Sequence, residues 1–131
     1  MINRLPESKF SSTEFNALVT EALESLPDFF KEKLSNVEVV VTDWPTLAEL
    51  RAAGAANRYS LLGLYQGIPL TRRTTGYGMV LPDKITIFRL PIERLCRTRQ
   101  TVIAQVRRTV LHELAHHFGI SDDRLRELGA Y

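Results

Sequence analysis

The residues of this chain best suited to chemistry are His112, Glu113 and His116, which stand in the run His112-Glu113-Leu114-Ala115-His116 inside a stretch patterned as a long helix. Two histidines four residues apart on a helix lie about 40° apart around its axis and one turn along it. That placement lets two imidazole nitrogens converge on one ion at roughly 2.0–2.1 Å, the distance zinc takes to nitrogen. Glu113 follows the first histidine on the flank of the same face, where it is placed to hold a metal-bound water rather than to act as a primary ligand. Zinc lowers the pKa of such a water to about 7, and a neighbouring carboxylate takes its proton as attack begins. The chemistry these residues point to is metal-assisted hydrolysis of a peptide bond.

Two histidines are not a complete catalytic zinc site, which takes three protein ligands and keeps a fourth position open. The chain continues His117-Phe118-Gly119-Ile120-Ser121-Asp122-Asp123. Gly119 can reverse the chain after the helix and bring Asp122 or Asp123 back toward the ion, where a carboxylate oxygen binds at about 2.0–2.2 Å. Taken whole, His112-Glu113-x-x-His116-x-x-Gly119-x-x-Asp122 resembles the extended motif of aspartate-type zincins, in which the residue three past the glycine is the third ligand. Leu61 to Leu70, Leu81 to Ile87, Pro91 to Leu95 and Val106 to Tyr131 further resemble the minimal zincins, a family of small bacterial zincin-like metallopeptidases. The resemblance covers residues 10–131. It implies a single zinc ion held by His112, His116 and Asp122, with Glu113 as general base. It also implies a zincin-like α+β domain, with a small twisted mixed sheet packed on helices and the motif helix beneath it.

The chain departs from ordinary metzincins in having no methionine among residues 123–131, where a methionine-containing turn would follow the third ligand. A donor for the developing oxyanion is also not evident. Tyr77 and Tyr131 are the candidates, each better explained by packing or solvent exposure.

The elements that must position these residues are legible from periodicity. Val102, Ile103, Val106, Val110, Leu111, Leu114 and Phe118 sweep one broad apolar face of a helix running from Thr98 or Gln100 to Phe118. His112 and His116 lie off that face beside Gln105 and Thr109, whereas His117 points toward it and reads as a core residue or an outer partner of the site. Gly119 ends the helix, and Ser121 caps a last short one through Leu128. Upstream, Ser11 and Glu14 form a capping box for a helix with a stripe of Phe15, Leu18, Val19, Ala22, Leu23 and Leu26, expected to pack on a sheet. Pro27 ends that helix or restarts it as a short turn. Strands are expected at Val37 to Val41, Leu61 to Tyr65 and Lys84 to Arg89, with a brief helix from Pro45 to Gly54 and a helical turn from Pro91 to Cys96. Ile68 to Leu70 reads as a weak return strand and Thr71 to Gly78 as a mobile loop. Residues 1–10 read as a flexible lead-in and residues 11–131 as one domain.

Composition narrows the alternatives. A chain of 131 residues with 44% hydrophobic and 24% charged residues can bury one real core, which argues against disorder and against a coiled coil. No apolar run approaches the roughly 20 residues that span a bilayer, and no secretory signal is expected at Met1 to Pro6. The single Cys96 fits a reducing compartment and a cytoplasmic location, and reads as an inert packed residue. Seventeen basic against 15 acidic residues give a net charge of +2, too mild to argue for nucleic acid. The arginines at 89, 94, 97, 99, 107 and 108 cluster, yet without aromatic interleaving they read as a solvated helix face. No G-x-x-x-x-G-K run is present, so a phosphate cradle is not indicated. The expected partner is a peptide or protein substrate. The competing reading is a catalytically silent, zinc-stabilised module that binds peptide without turnover.

Overall fold

The computed structural model describes residues 9–67 and 82–129. In chain order the elements are α1 (Ser12–Glu24), α2 (Asp28–Leu34), β1 (Val37–Thr42), α3 (Leu47–Ala53), β2 (Gly63–Gln66), β3 (Asp83–Phe88), α4 (Arg89–Leu95), α5 (Arg99–Phe118) and α6 (Asp122–Glu127). The three strands form one mixed sheet in the order β1-β3-β2, with β1 parallel and β2 antiparallel to β3. This is the small α+β architecture that the family resemblance implied, with the histidine motif on the long helix α5.

Alternation assigns each strand residue a face. Val37, Val39 and Val41 of β1 align with Asp83, Ile85 and Ile87 of β3. Gly63 and Tyr65 of β2 oppose Ile87 and Ile85. These residues share the face turned to the helices, where Ile85 and Ile87 join the core beside Val102, Val106, Val110, Leu111 and Leu114 of α5. Thr86 and Phe88, on the other face, are buried too, so the central strand is covered on both sides.

Several expectations shift in detail. Pro27 restarts the chain as a true helix, with Phe30 buried in the core. The second strand begins two residues later and ends one residue later than the apolar run suggested. Leu62 still accepts a hydrogen bond from the Phe88 N–H at 3.0 Å, which extends the ladder without lengthening the strand. The helical turn expected at Pro91 is a helix that begins as soon as β3 ends. The α1 stripe packs chiefly on α5 rather than on the sheet. The reason is that α5 buries more than one side: Thr109 and Ala115 are buried besides the apolar stripe, leaving one flank for β2 and β3 and another for α1. Phe118 was expected in the core but is 41% exposed, lying edge-on to Tyr65 of β2 with Lys33 of α2 over its ring. At the N-terminal side, Lys9 and Phe10 are docked rather than loose, since both main-chain N–H groups donate to the buried Glu93 carboxylate. The weak return strand at 68–70 and the loop at 71–78 lie outside the described residues.

Candidate metal centre

The site is built on α5, and both ends of that helix are fixed locally. Thr98 is the N-cap, its side chain accepting from the Thr101 N–H while the Thr101 hydroxyl accepts from the Thr98 N–H, each at 3.1 Å. Caps of this kind contribute about 1 kcal/mol. At the other end Gly119 takes the left-handed conformation, φ 66°, and the Ile120 N–H closes onto the Ala115 carbonyl at 2.8 Å. A side chain at that φ would meet its own backbone, so glycine is the residue that lets the chain turn there.

Between these ends, the helix period sorts the residues into strips. Thr101, Ala104, Arg108, His112 and His116 recur at three- and four-residue spacing and are all exposed, forming the open strip of α5. The two imidazoles therefore stand one turn apart in solvent, as the sequence spacing requires. Beside them runs a second strip, Thr109, Glu113 and His117, that faces β2. Gly63 approaches Thr109 so closely that an added Cβ would lie 2.6 Å from the threonine methyl and 3.2 Å from the Thr86 carbonyl oxygen. Two residues on, the Tyr65 N–H donates to Glu113 Oε1 at 2.8 Å. The Tyr65 ring stacks flat on the His117 imidazole, with centroids 3.9 Å apart and planes 20° apart. The Tyr65 hydroxyl donates to Asp83 Oδ2 at 2.6 Å, and His117 Nε2 lies 3.8 Å from the same oxygen.

Glu113 thus stands between the exposed histidine pair and the edge strand of the sheet. The N–H it accepts faces away from β3, because Leu62, Leu64 and Gln66 are the residues that turn toward that strand. His117 is neither a core residue nor one of the open strip. It lies at the rim, 37% exposed, and is held by Tyr65 and Asp83.

The chain beyond Gly119 is less converged. Ser121 caps α6 by accepting from the Arg124 N–H at 3.1 Å, which places Asp122 and Asp123 in the first helical turn, both exposed. Asp123 pairs with Arg126 at 3.3 Å. Among the described residues, no group of three or more His, Cys, Asp or Glu side chains is gathered closely enough to hold a metal. The donor chemistry nonetheless suits zinc: two outward-facing imidazoles at helical spacing, and carboxylates just past a tight turn. The two histidines share one exposed strip of α5, and Asp122 and Asp123 stand on a separate short helix.

Of the remaining candidates, Tyr77 and Tyr131 lie outside the described residues. Cys96 is buried, and burial pushes its thiol pKa up against a lowering hydrogen bond from Thr101, so it is no activated nucleophile. A cavity of about 590 Å³ opens beside the end of α5, lined by Phe29, Lys33, Val37, Tyr65, Asp83 and Phe118 among others.

Tyr65 and Asp83 are the site neighbours that the sequence did not announce. A signal was present: Gly63 inside an apolar strand marks a place where another element comes close, and Tyr65 shares its face. Tyr65 is therefore a residue that any helix under β2 must meet.

None of the curated proteins compared with this chain matches it. The family described as zincin-like metallopeptidase matches residues 34–130, which include every element from β1 to α6. With three quarters of its length matched, and the exposed histidine pair and its glutamate carried on the long helix, the chain belongs to the zincin-like metallopeptidase family.

Proposed function

We propose that this protein is a zinc-dependent peptide-bond hydrolase, in which His112, His116 and Asp122 hold one zinc ion and Glu113 is the general base. The observation that carries the reading is the strip of α5 that presents both imidazoles to solvent, with Glu113 between them and the edge of the sheet, in a chain of this family. Zinc, when bound, polarises the scissile carbonyl and brings a water close to ionisation near neutral pH. Glu113 takes a proton from the attacking water onto a carboxylate oxygen and passes it to the leaving amine. The strand β2 aligns the substrate. Its edge away from β3 pairs with no other described strand, and an extended peptide or protein segment laid along it adds a strand through main-chain groups other than the Tyr65 N–H, which Glu113 holds. A cytoplasmic location fits the lone buried cysteine, and no described helix is long and apolar enough to cross a membrane.

The test is a broad peptide library incubated with zinc-loaded protein and read by mass spectrometry, with Glu113→Gln as its partner. The expected result is cleavage by the wild type and a loss of about 10²–10⁴-fold in the variant, with zinc content unchanged. Equal silence of both proteins removes the support for peptidase activity.

One observation favours the second reading, a silent zinc-stabilised module that binds peptide. The Glu113 carboxylate is engaged by the Tyr65 N–H rather than standing clear of the sheet. On that reading, the edge strand binds peptide, zinc raises thermal stability, and Glu113→Gln changes neither.

A further inference from the structure

A glutamate on a helix surface has rotatable side-chain torsions, each with its own staggered wells, whereas a general base must keep one oxygen within hydrogen-bond reach of the proton it takes. Something must hold Glu113. The contact that does so is the Tyr65 N–H at 2.8 Å, a bond from a main-chain donor to a charged acceptor. That donor is only as fixed as β2, which is four residues long and stands at the edge of the sheet. Short edge strands are the parts of a fold that open most readily.

The Tyr65 side chain counters this. Its hydroxyl is tied to Asp83, a buried carboxylate at the first residue of the central strand, and its ring lies flat on His117. Glu113 and His117 are one turn apart on α5, so a single residue grips the helix twice, once through its main chain and once through its ring. His117 in turn reaches toward the same Asp83 oxygen that accepts from the tyrosine. Helix, edge strand and central strand close into one ring of contacts around the base. A phenylalanine at 65 would keep the stack but lose the directional tie to β3.

We propose that Tyr65 is a positioning residue for Glu113: its N–H sets where the carboxylate sits, while Asp83 and His117 set where Tyr65 sits. The claim rests on reading Glu113 as the general base, yet the link itself is testable without turnover. The experiment follows the residue-65 amide by ¹⁵N NMR and hydrogen exchange in the metal-free full chain, for wild type, Glu113→Ala, Tyr65→Phe and the double variant. Glu113→Ala should move the amide proton upfield and speed its exchange roughly tenfold, with the amides of Leu64 and Gln66 little changed. Tyr65→Phe should speed exchange several-fold when Glu113 is present and add little when it is replaced, since two groups in one chain of contacts do not act additively. An amide indifferent to Glu113→Ala overturns the proposal, and so do effects that simply add. Should Tyr65→Phe fail to fold, Asp83→Asn probes the same tie from β3 and is judged by the same coupling to Glu113→Ala. Where the zinc-loaded wild type cleaves a peptide, Tyr65→Phe should lower kcat with zinc content and KM held, and an unchanged kcat counts against the proposal. A wild type that cleaves nothing defeats the peptidase reading, while the amide coupling still decides the link.

Discussion

Two stretches supply the candidate site, and they are built in different ways. The last turns of α5 carry His112, Glu113 and His116 on a 20-residue helix that is capped at both ends and anchored by seven buried side chains. Its rotation is fixed by the core residues Val106, Val110 and Leu114 on one side and by the seat of Gly63 on Thr109 on the other. The turn beyond Gly119 carries Asp122 on a six-residue helix with a single buried side chain, Leu125. Its two ion pairs, Arg124–Glu127 and Arg126–Asp123, are exposed and contribute little. The contrast teaches that the part of the site written in the helical repeat is assembled by the fold alone. The part that lies across a turn has few ties of its own, and on the proposed function zinc supplies the missing one.

The contrast can be broken most severely on the helical side. His116→Ala removes half of the assembled imidazole pair and should weaken zinc binding by more than the roughly 10–100-fold cost of altering an outer partner. Titration against a chelator of known affinity measures this, and retained tight binding would show that the pair is not the core of the site. Chelation sharpens the contrast by acting on the other half. If zinc is present at about a hundred times its dissociation constant, its removal should cost about 2.7 kcal/mol of stability, visible as a lower melting temperature. Hydrogen exchange should then quicken across 122–128 far more than across 106–116. The smallest effect is on the scaffold. Gly63→Ala places a methyl 2.6 Å from Thr109 and 3.2 Å from the Thr86 carbonyl, and β2 or α5 must shift to admit it. A loss of about 1–3 kcal/mol is expected in denaturant unfolding, with α5 intact by circular dichroism.

The same division explains what could be read from the sequence. The spacing of His112 and His116, the start of the helix near Thr98 or Gln100 and its stop at Gly119 are local, and local rules placed them within a residue or two. The capping box at Ser11 was legible for the same reason, being formed within four residues of chain. The pairing of distant elements was not. Nothing in Phe15 to Leu26 tells that stripe to seek α5 rather than the sheet, because one apolar surface serves as well as another until the fold decides. His117 was assigned to the apolar side by its angle on the helix, which takes no account of the Tyr65 ring and the Asp83 carboxylate that meet it at the rim. The contact between Tyr65 and Glu113 joins residues 48 apart in sequence, and only the register of β2 against β3 brings them together. The proposed third ligand, Asp122, is the extreme case: its residue type and spacing are legible, but among the described residues it is not gathered with the histidines.

The central claim is that one zinc ion joins these two halves through His112, His116 and Asp122. Native mass spectrometry of the wild type, Asp122→Ala and Asp123→Ala under equal limiting zinc tests it most directly. One zinc per chain is expected in the wild type and in Asp123→Ala, with most of it lost in Asp122→Ala. Full zinc occupancy of Asp122→Ala, or loss confined to Asp123→Ala, would contradict the account.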